Sequence, residues 1–217
     1  MVAFAASGSH FGLLNREIIP YWVRFVMAVP LLDLARYGQH YLYHAVPVLW
    51  RVHQVHHSDP DYDWSTSLRF HPLEVLLTQG SQLAVIALLA PPPPAVLCLE
   101  VFQVVENIFV HANISIPAWI DGRLRGWLIT PDMHRIHHSD DFSDQNTNFG
   151  VAFPWWDRLF GTYRQEPASG HEYMGVGLRE VDVKQGVSLI AILAQPFRSP
   201  ATTAVVSPLT QRQVDQG

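Results

Sequence analysis

The chain has 217 residues, a formal net charge of −5 with neutral histidines, and only 14 Lys and Arg residues. This length suits one compact domain, and so few cations make no broad basic face for phosphates, so nucleic acid is not expected as a partner. The one cysteine, Cys98, forms no intrachain disulfide and is expected to pack as a small core residue. The N-terminus has no pattern of a secretory signal, so the protein is expected to stay on the cytoplasmic side.

Three apolar stretches, at residues 18–34, 73–90 and 95–110, come close to the roughly 17 to 25 residues that cross a bilayer as a helix. Polar residues interrupt each stretch, so we expect each helix to turn a polar stripe toward the protein interior. Buried helices of a soluble domain are the alternative. The interrupting residues are Arg24, Asp33, Gln79, Gln82, Glu100 and Glu106.

Four consecutive prolines, at positions 91–94, separate the second and third stretches. Because proline cannot continue a helix, this segment is expected to form the tight turn of a helical hairpin. A hairpin that crosses and returns leaves the chain before residue 73 and the chain after residue 110 on one side. Seven arginines lie on that side and the turn has no Lys or Arg, which indicates a cytoplasmic location. They are Arg51, Arg69, Arg123, Arg125, Arg135, Arg158 and Arg164.

The sequence predicts an all-α, integral-membrane fold of helical hairpins with a cytoplasmic helical cap. We expect an N-terminal segment at 1–17, a membrane domain at 18–164 and a C-terminal extension at 165–217 that is partly disordered. The apolar run at 187–194 is too short to span and is expected to lie on the membrane surface or to cap the domain. The tail from Ser199 onward is expected to be disordered.

Twelve histidines are the main chemical signal of the sequence, and eight of them fall into three short clusters. His40 and His44 are four residues apart and share one helical face, which suits a metal but is weak evidence alone. His53, His56 and His57 form an HxxHH triplet. On a helix the adjacent pair diverges by about 100 degrees, so neighbouring histidines can serve two different metals.

The HxxHH pattern recurs at His134, His137 and His138, where Thr130 and Pro131 suit the N-cap and first position of a helix. We infer two half-sites from this repeat. The aspartates of the repeat are expected either to accept hydrogen bonds from ligand imidazoles or to be solvated loop residues. The residues that match without gaps are Ser58, Asp59, Asp63 and Thr66 in the first copy and Ser139, Asp140, Asp144 and Thr147 in the second.

Two single histidines extend the candidate ligand set. His111 ends the third apolar stretch, where the clusters must converge, and is predicted to be a ligand. Asn107, one helical turn before it, is a weaker candidate. His71 is predicted with equal weight to be a ligand or a structural residue at a helix start, whereas His10 and His171 are expected to be unrelated to the site.

More imidazoles are available than the four ligands of a closed zinc site, so two metals are the simplest prediction. Imidazole ligands leave zinc, copper, nickel and iron open. A site beside hydrocarbon favours a redox metal over zinc, because inert C–H bonds need activated oxygen that zinc cannot generate. A membrane metal-binding or metal-handling protein without catalysis and a zinc-dependent hydrolase at the membrane surface remain open.

From about residue 31 to 163 the sequence resembles the fatty acid hydroxylase and sterol desaturase family of membrane di-iron enzymes. Beyond the histidine clusters, the resemblance includes Arg-Phe-His-Pro at His71 and His-Ala-Asn at His111. It also includes the run Thr-Pro-Asp-Met-His-Arg-Ile-His-His around His134, the tripeptide Asn-Phe-Gly at 148–150, and Trp-Asp-Arg-Leu-Phe-Gly-Thr-Tyr at 156–163.

The resemblance implies a helical membrane fold whose cytoplasmic cap holds two iron ions that cycle between Fe2+ and Fe3+, with His111 and the histidines of the three clusters as ligands. It implies an O2-dependent hydroxylation or desaturation of a fatty acyl, sterol or related lipid. It also implies a separate electron donor of the ferredoxin or cytochrome b5 type, since the sequence contains no such domain. Family members usually carry further membrane helices before the first cluster, and with 39 residues before His40 the chain is expected to be short or truncated.

Overall fold

The computed structural model describes residues 1–8, 11–16, 18–179, 181 and 187–198. Within these residues the fold is all-α, as predicted, with no strand beyond one isolated bridge between Ser139 and Val176. The predicted disordered tail and His10 lie outside the described residues. The helices are α1 (Val2–Ser7), α2 (Tyr21–Ala45), α3 (Pro47–His57), α4 (Pro72–Leu89), α5 (Pro93–His111), α6 (Ala118–Leu124), α7 (Pro131–His137), α8 (Phe142–Gln145), α9 (Trp155–Phe160) and α10 (Leu189–Arg198), with a 3-10 helix at Trp64–Leu68.

The three apolar stretches form the three longest helices. The second and third match α4 and α5 closely, but α2 continues eleven residues past the first stretch and carries His40 and His44 in its last turns. Helix α2 ends where Val46 takes an extended conformation before Pro47. A residue that precedes proline is disfavoured in the helical region, and proline itself is well placed at the first position of the next helix.

The proline segment forms the predicted turn of a hairpin between α4 and α5. Ala90 ends α4 in the left-handed region at a φ of 46°, and Pro93 is the first residue of α5. Both helices pack against α2, whereas they make few direct contacts with each other. The hairpin is therefore splayed, and its two arms leave space between them.

Helices α4 and α5 are each long and apolar enough to cross a membrane. Only 17% of the apolar window in α4 and 28% of that in α5 is buried inside the protein, so most of their apolar side chains face outward. Such outward apolar faces suit a lipid environment better than water. Cys98 also faces outward, so the prediction of a core position was wrong.

The predicted polar stripes are present on the inner faces of the long helices. Asp33, Gln82 and Glu106 are buried, whereas Gln79 is exposed and Glu100 is partly exposed. Asp33 accepts hydrogen bonds from the indole Nε1 of Trp156 at 2.9 Å and from the amide of Gln103 at 3.2 Å. The stripe thus connects the membrane helices to the cap.

Helices α3 and α6 to α10 form a cap over one end of α2, α4 and α5, whereas α1 packs against α4 and α5 near the proline turn. Thr130 caps α7 by accepting a hydrogen bond from the backbone N–H of Met133, as predicted. The apolar run near residue 190 belongs to α10, which packs on α3. Ser58, at the end of α3, donates a hydrogen bond to the side-chain oxygen of Gln195 at 3.2 Å.

Candidate metal centre

Nine of the ten histidines proposed as ligands converge on two adjacent groups at the junction of the membrane helices and the cap. In each group, one ring nitrogen per residue lies within 4.8 Å of every other. All but His40, which is partly exposed, are buried. The first group contains His40, His44, His53, His57 and His137, and the second contains His56, His111, His134 and His138.

The two HxxHH triplets are interleaved between these groups. His53 and His57, the outer pair of the first triplet, join the middle histidine of the second triplet, His137. The outer pair of the second triplet, His134 and His138, joins the middle histidine of the first, His56. The predicted divergence of adjacent histidines to different sites is confirmed, but neither triplet makes a half-site by itself.

The spacing of the nitrogens matches ligands around an ion. In the second group, Nε2 of His111 lies 3.3 Å from Nε2 of His56, 3.3 Å from that of His138 and 3.1 Å from that of His134. Two imidazole nitrogens about 2.1 Å from one ion, at angles of 90 to 110 degrees, would lie roughly 3.0 to 3.4 Å apart. The first group shows the same spacing, with 3.2 Å between the Nε2 atoms of His53 and His57.

Hydrogen bonds from the other ring nitrogen fix the tautomer of three histidines and orient a fourth. A carbonyl oxygen only accepts, so Nδ1 carries the proton and Nε2 presents its lone pair to the group. Such partners orient a ligand imidazole and raise its basicity. Nδ1 of His40 donates to the carbonyl of Phe149 (2.9 Å), that of His111 to the carbonyl of Asn107 (2.7 Å) and that of His137 to the carbonyl of Thr147 (2.8 Å). Nδ1 of His53 bonds to the Glu74 carboxylate (2.7 Å).

Five buried ring nitrogens of the two groups have no hydrogen-bond partner among the described residues: Nδ1 of His56, His57 and His134, and Nε2 of His44 and His137. A buried polar atom without a partner is costly, and in His137 the bond of Nδ1 to Thr147 leaves Nε2 as a bare lone pair. The Nε2 atoms of His44 and His137, both residues of the first group, fit metal ligation.

The histidines of the cap are held neutral. Burial, the largest cause, lowers the pKa of His53 to about 3 and places the pKa of each of the others well below the ordinary range, with further depression from neighbouring imidazoles. A neutral imidazole is the form that binds a metal. The others are His56, His57, His134, His137 and His138.

Asp157 supports the loop that orients His40. Its carboxylate accepts hydrogen bonds from the backbone N–H groups of Phe149 and Gly150, each at 2.8 Å, and from the hydroxyl of Thr162 at 2.7 Å. Burial nevertheless raises the pKa of Asp157 to about 6. A side chain at Gly150 would come within 2.7 Å of Asp157, which explains the glycine of the Asn-Phe-Gly tripeptide.

The aspartates of the repeat do not contact imidazoles, so the prediction that they orient the ligands was wrong. Asp59 accepts a hydrogen bond from Thr66, Asp63 caps the 3-10 helix, Asp140 pairs with Arg179 and Asp144 pairs with Arg164. The alternative of solvated loop residues holds for Asp63, which is exposed, and not for Asp144, which is fully buried. Their charges instead stabilise the loops after each triplet.

His71 and Asn107 lie outside both nitrogen groups. Nδ1 of His71 accepts a hydrogen bond from the backbone N–H of Leu73 at 3.2 Å and so caps α4, and its Nε2 lies 3.3 Å from the carbonyl of Leu193. The side-chain amide of Asn107 donates to the carbonyl of Ser67 at 2.9 Å. Asn107 acts on His111 through its backbone carbonyl.

A cavity of about 360 Å³ starts at the histidines and runs between α4 and α5. His53, His56 and His111 line its inner end, and Val75 and Val104 line its walls. Phe70 also lines the cavity and stacks on His56, with ring centroids 4.7 Å apart. Its volume lies in the range of small-ligand sites, and its position gives an apolar molecule access to both nitrogen groups.

Comparison with known proteins places this architecture in a family. The family model described as "Fatty acid hydroxylase" matches residues 25–162, which include all nine converging histidines. The chain belongs to the fatty acid hydroxylase family. No solved structure matches the chain.

Curated relatives of this family member carry out hydroxylation or monooxygenation. The chain is 29% identical to an ornithine lipid hydroxylase of Rhizobium tropici, over 82% of this chain and 51% of the relative. It is 31% identical to the human alkylglycerol monooxygenase, over 62% of this chain and 29% of the relative. It is 30% identical to the rat cholesterol 25-hydroxylase, over 64% of this chain and 46% of the relative. The chain thus spans about half or less of their length. With its two apolar helices, this kinship indicates a membrane-associated protein.

Sequence reasoning missed the residues that hold the ligands. Glu74 lies in the Arg-Phe-His-Pro-Leu-Glu segment, three residues after His71, but its role depends on the packing of α4 against α3. Asp157 lies in the tryptophan-containing motif that carried part of the family resemblance, and only its contacts reveal its support of Phe149. The backbone carbonyls that accept hydrogen bonds from His40, His111 and His137 could not be predicted, because every residue has such a carbonyl.

Proposed function

We propose that this fatty acid hydroxylase family member is an O2-dependent di-iron oxidoreductase that hydroxylates or desaturates a lipid-like substrate. The observation that carries the proposal is the pair of adjacent, buried groups of neutral imidazole nitrogens at the head of a cavity between two apolar helices. The relatives' names, which specify an ornithine lipid, alkylglycerol and cholesterol, support a lipid as the substrate class.

Nine histidines are proposed as metal ligands, in the two groups described above. His71 was predicted with equal weight as a ligand, and its capping of α4 now favours the structural role. Iron ions bound by these groups would supply the reduction of O2 to an oxidant strong enough to attack an unactivated C–H bond. The hydrocarbon-facing cavity favours iron over zinc, which has no redox chemistry.

The chain's own residues position and protect the reacting groups. Glu74 and the three backbone carbonyls hold the imidazoles in one orientation, which keeps both sites preorganised. Phe149, 2% exposed, packs against His40 and His44 on one side, and Tyr62, 1% exposed, packs against His138 on the other. These rings exclude water from the histidines and leave the cavity as the route for substrate.

Membrane placement follows the hairpin. We propose a multi-pass arrangement in which α4 and α5 cross and return, with the histidine groups at the cytoplasmic end. The arginines of the cap and their absence from the proline turn support this orientation. Residues 18–164 would form the membrane domain, with 1–17 and 165–217 as flanking segments.

Electrons must come from outside the described fold. In hydroxylation, one atom of O2 enters the product and the other leaves as water, which consumes two electrons and two protons from solution and a donor. Desaturation with the same donor reduces both oxygen atoms to water and leaves a double bond. We propose a separate donor protein of the ferredoxin or cytochrome b5 type.

The test is conversion of lipid by the purified protein in nanodiscs with an added reductase and donor. We expect mass spectrometry of a total lipid extract to show a product that carries one 18O atom from labelled O2, or one that has lost two hydrogens. Product formation should require both O2 and reductant. Conversion that continues without O2, with oxygen derived from water, would instead identify a hydrolase.

A further inference from the structure

The cavity ends in charged and polar side chains at the end remote from the histidines. Arg36 of α2 and Glu100 of α5 line this end and form an ion pair, with 3.4 Å between Nη2 and Oε2. The side-chain amide of Gln82, on α4, donates a hydrogen bond to the Glu100 carboxylate. All three long helices therefore contribute to this end, which lies above an apolar cluster of Leu32, Ile86 and Leu99.

This polar end lies deep in the hairpin. Glu100 precedes His111 by eleven residues, which is about 16 Å along the axis of α5, and Arg36 precedes His40 by four residues, which is about 6 Å along the axis of α2. The whole helix is roughly 28 Å long, so the ion pair lies near its middle. Ionisable groups at such a depth are costly, and those that face a cavity usually serve a ligand or its route.

The cavity reaches the polar end through the ion pair itself. Arg36 and Glu100 both line the cavity, and the side chain of Glu100 is 37% exposed. A purely hydrocarbon ligand would desolvate this charged pair without offering it a hydrogen bond, which is costly and discriminates against such a ligand.

The charges of Arg36 and Glu100 balance each other. A carboxylate or an ammonium placed beside them would leave one net charge in a site of low polarity, which is costly. A hydroxyl can accept a hydrogen bond from the guanidinium and donate one to the carboxylate without adding charge. The pair therefore favours a neutral group that both donates and accepts.

We propose that Arg36 and Glu100 form a substrate-binding subsite for a hydroxyl group, at a fixed separation from the carbon that is oxidised at the histidine groups. The preferred substrate is then a lipid alcohol whose hydroxyl lies at the deep end of the cavity and whose apolar end reaches the histidines. The inference rests on the proposed function, because oxidation at the histidine groups defines the second end of the substrate.

Binding of dodecan-1-ol, dodecane and dodecanoate to the purified full chain in nanodiscs tests the subsite without requiring turnover. We expect specific, competable binding of dodecan-1-ol to be at least about tenfold tighter than that of either matched probe, as a hydrogen bond to a charged group predicts. Equal affinity for the three probes in the unmodified protein would overturn the proposal, whatever the variants do.

The double variant Arg36→Met with Glu100→Gln should lose the preference for the alcohol and keep its binding of dodecane and its metal content. Its matched control is Arg123→Met with Glu166→Gln, because Arg123 donates to a carbonyl of exposed α6 and Glu166 is 64% exposed, both outside the cavity. A double variant that retained both its metal and the preference for the alcohol would show that the ion pair only joins the helices.

The position of oxidation separates the two proposals. With alkan-1-ols of increasing length, the unmodified protein should place oxygen at a constant number of carbons from the hydroxyl, and the double variant should give scattered positions. Alcohol preference in binding without any oxidised product would retain the subsite and contradict the oxygenase. Oxidation at a constant distance from the methyl end would retain the oxygenase and contradict the subsite.

Discussion

The imidazole rings of His57 and His138 stack with centroids 4.4 Å apart and planes inclined by 18°, although the two residues belong to different nitrogen groups. Each comes from the last position of an HxxHH triplet. Through this contact the first nitrogen group touches the second. It makes the site one continuous cluster of imidazoles, in which both groups depend on both triplets.

Loss of one ligand from either group should remove one ion and all turnover. We expect His57→Ala and His138→Ala each to lower the bound metal from about two ions per chain to about one, because each removes a ligand from a different group. Metal analysis by mass spectrometry after gel filtration measures this. His171→Ala is the matched control, since His171 lies outside both groups and pairs with Glu166. Full activity in either ligand variant would contradict the assignment of that triplet.

Glu74 should act through the orientation of His53. Replacement by leucine removes the acceptor that holds Nδ1 at 2.7 Å, and a loss of metal affinity of roughly 10- to 100-fold is expected. Glu74→Gln keeps an acceptor oxygen and should lose less. Chelator competition on both variants measures the affinities. An unchanged affinity in Glu74→Leu would show that packing alone orients His53.

His71 should contribute to stability and not to metal content. As the N-cap of α4 it satisfies the backbone N–H of Leu73, and removal of such a cap costs about 0.5 to 2 kcal/mol in the free energy of unfolding. We expect His71→Ala to bind the full complement of metal and to melt at a lower temperature. Loss of one ion from this variant would restore His71 to the ligand set.

Acid should destabilise the metal-free protein. Burial lowers the pKa of His53 to about 3 and also lowers those of His57 and His138, whereas in the unfolded chain these groups titrate near 6.5. Between about pH 6.5 and pH 3 the unfolded state therefore binds more protons, and stability falls as the pH falls. Thermal melting of chelator-treated protein from pH 7.5 to 4.5 measures this. A melting temperature that stays constant over that interval would contradict the burial of neutral imidazoles.

The sequence was sufficient to predict the features that depend on local pattern. The lengths of α4 and α5, the proline turn and the cap at Thr130 follow from apolar runs and from the backbone chemistry of proline and threonine. The divergence of His56 from His57 follows from helix geometry alone. In each of these cases the determining residues are neighbours in the chain.

The features that could not be predicted depend on contacts between distant segments. The pairing of His53 with Glu74, the orientation of His40 by the carbonyl of Phe149, and the interleaving of the triplets arise only when α3, α4 and α7 pack together. The prediction for the aspartates of the repeat was wrong because residues at matching positions have different partners in the fold. Asp63 caps a 3-10 helix, whereas Asp144 pairs with Arg164. The cavity and its polar end require the splay of α4 from α5.

The most direct test of the central claim is Mössbauer spectroscopy, with metal analysis, of protein purified without oxygen from cells supplied with iron-57. The two nitrogen groups predict about two iron ions per chain, ferrous at first and oxidised when O2 is admitted. Stoichiometric zinc, with no iron bound even after reconstitution, would contradict the di-iron oxygenase and favour a hydrolytic or metal-handling role.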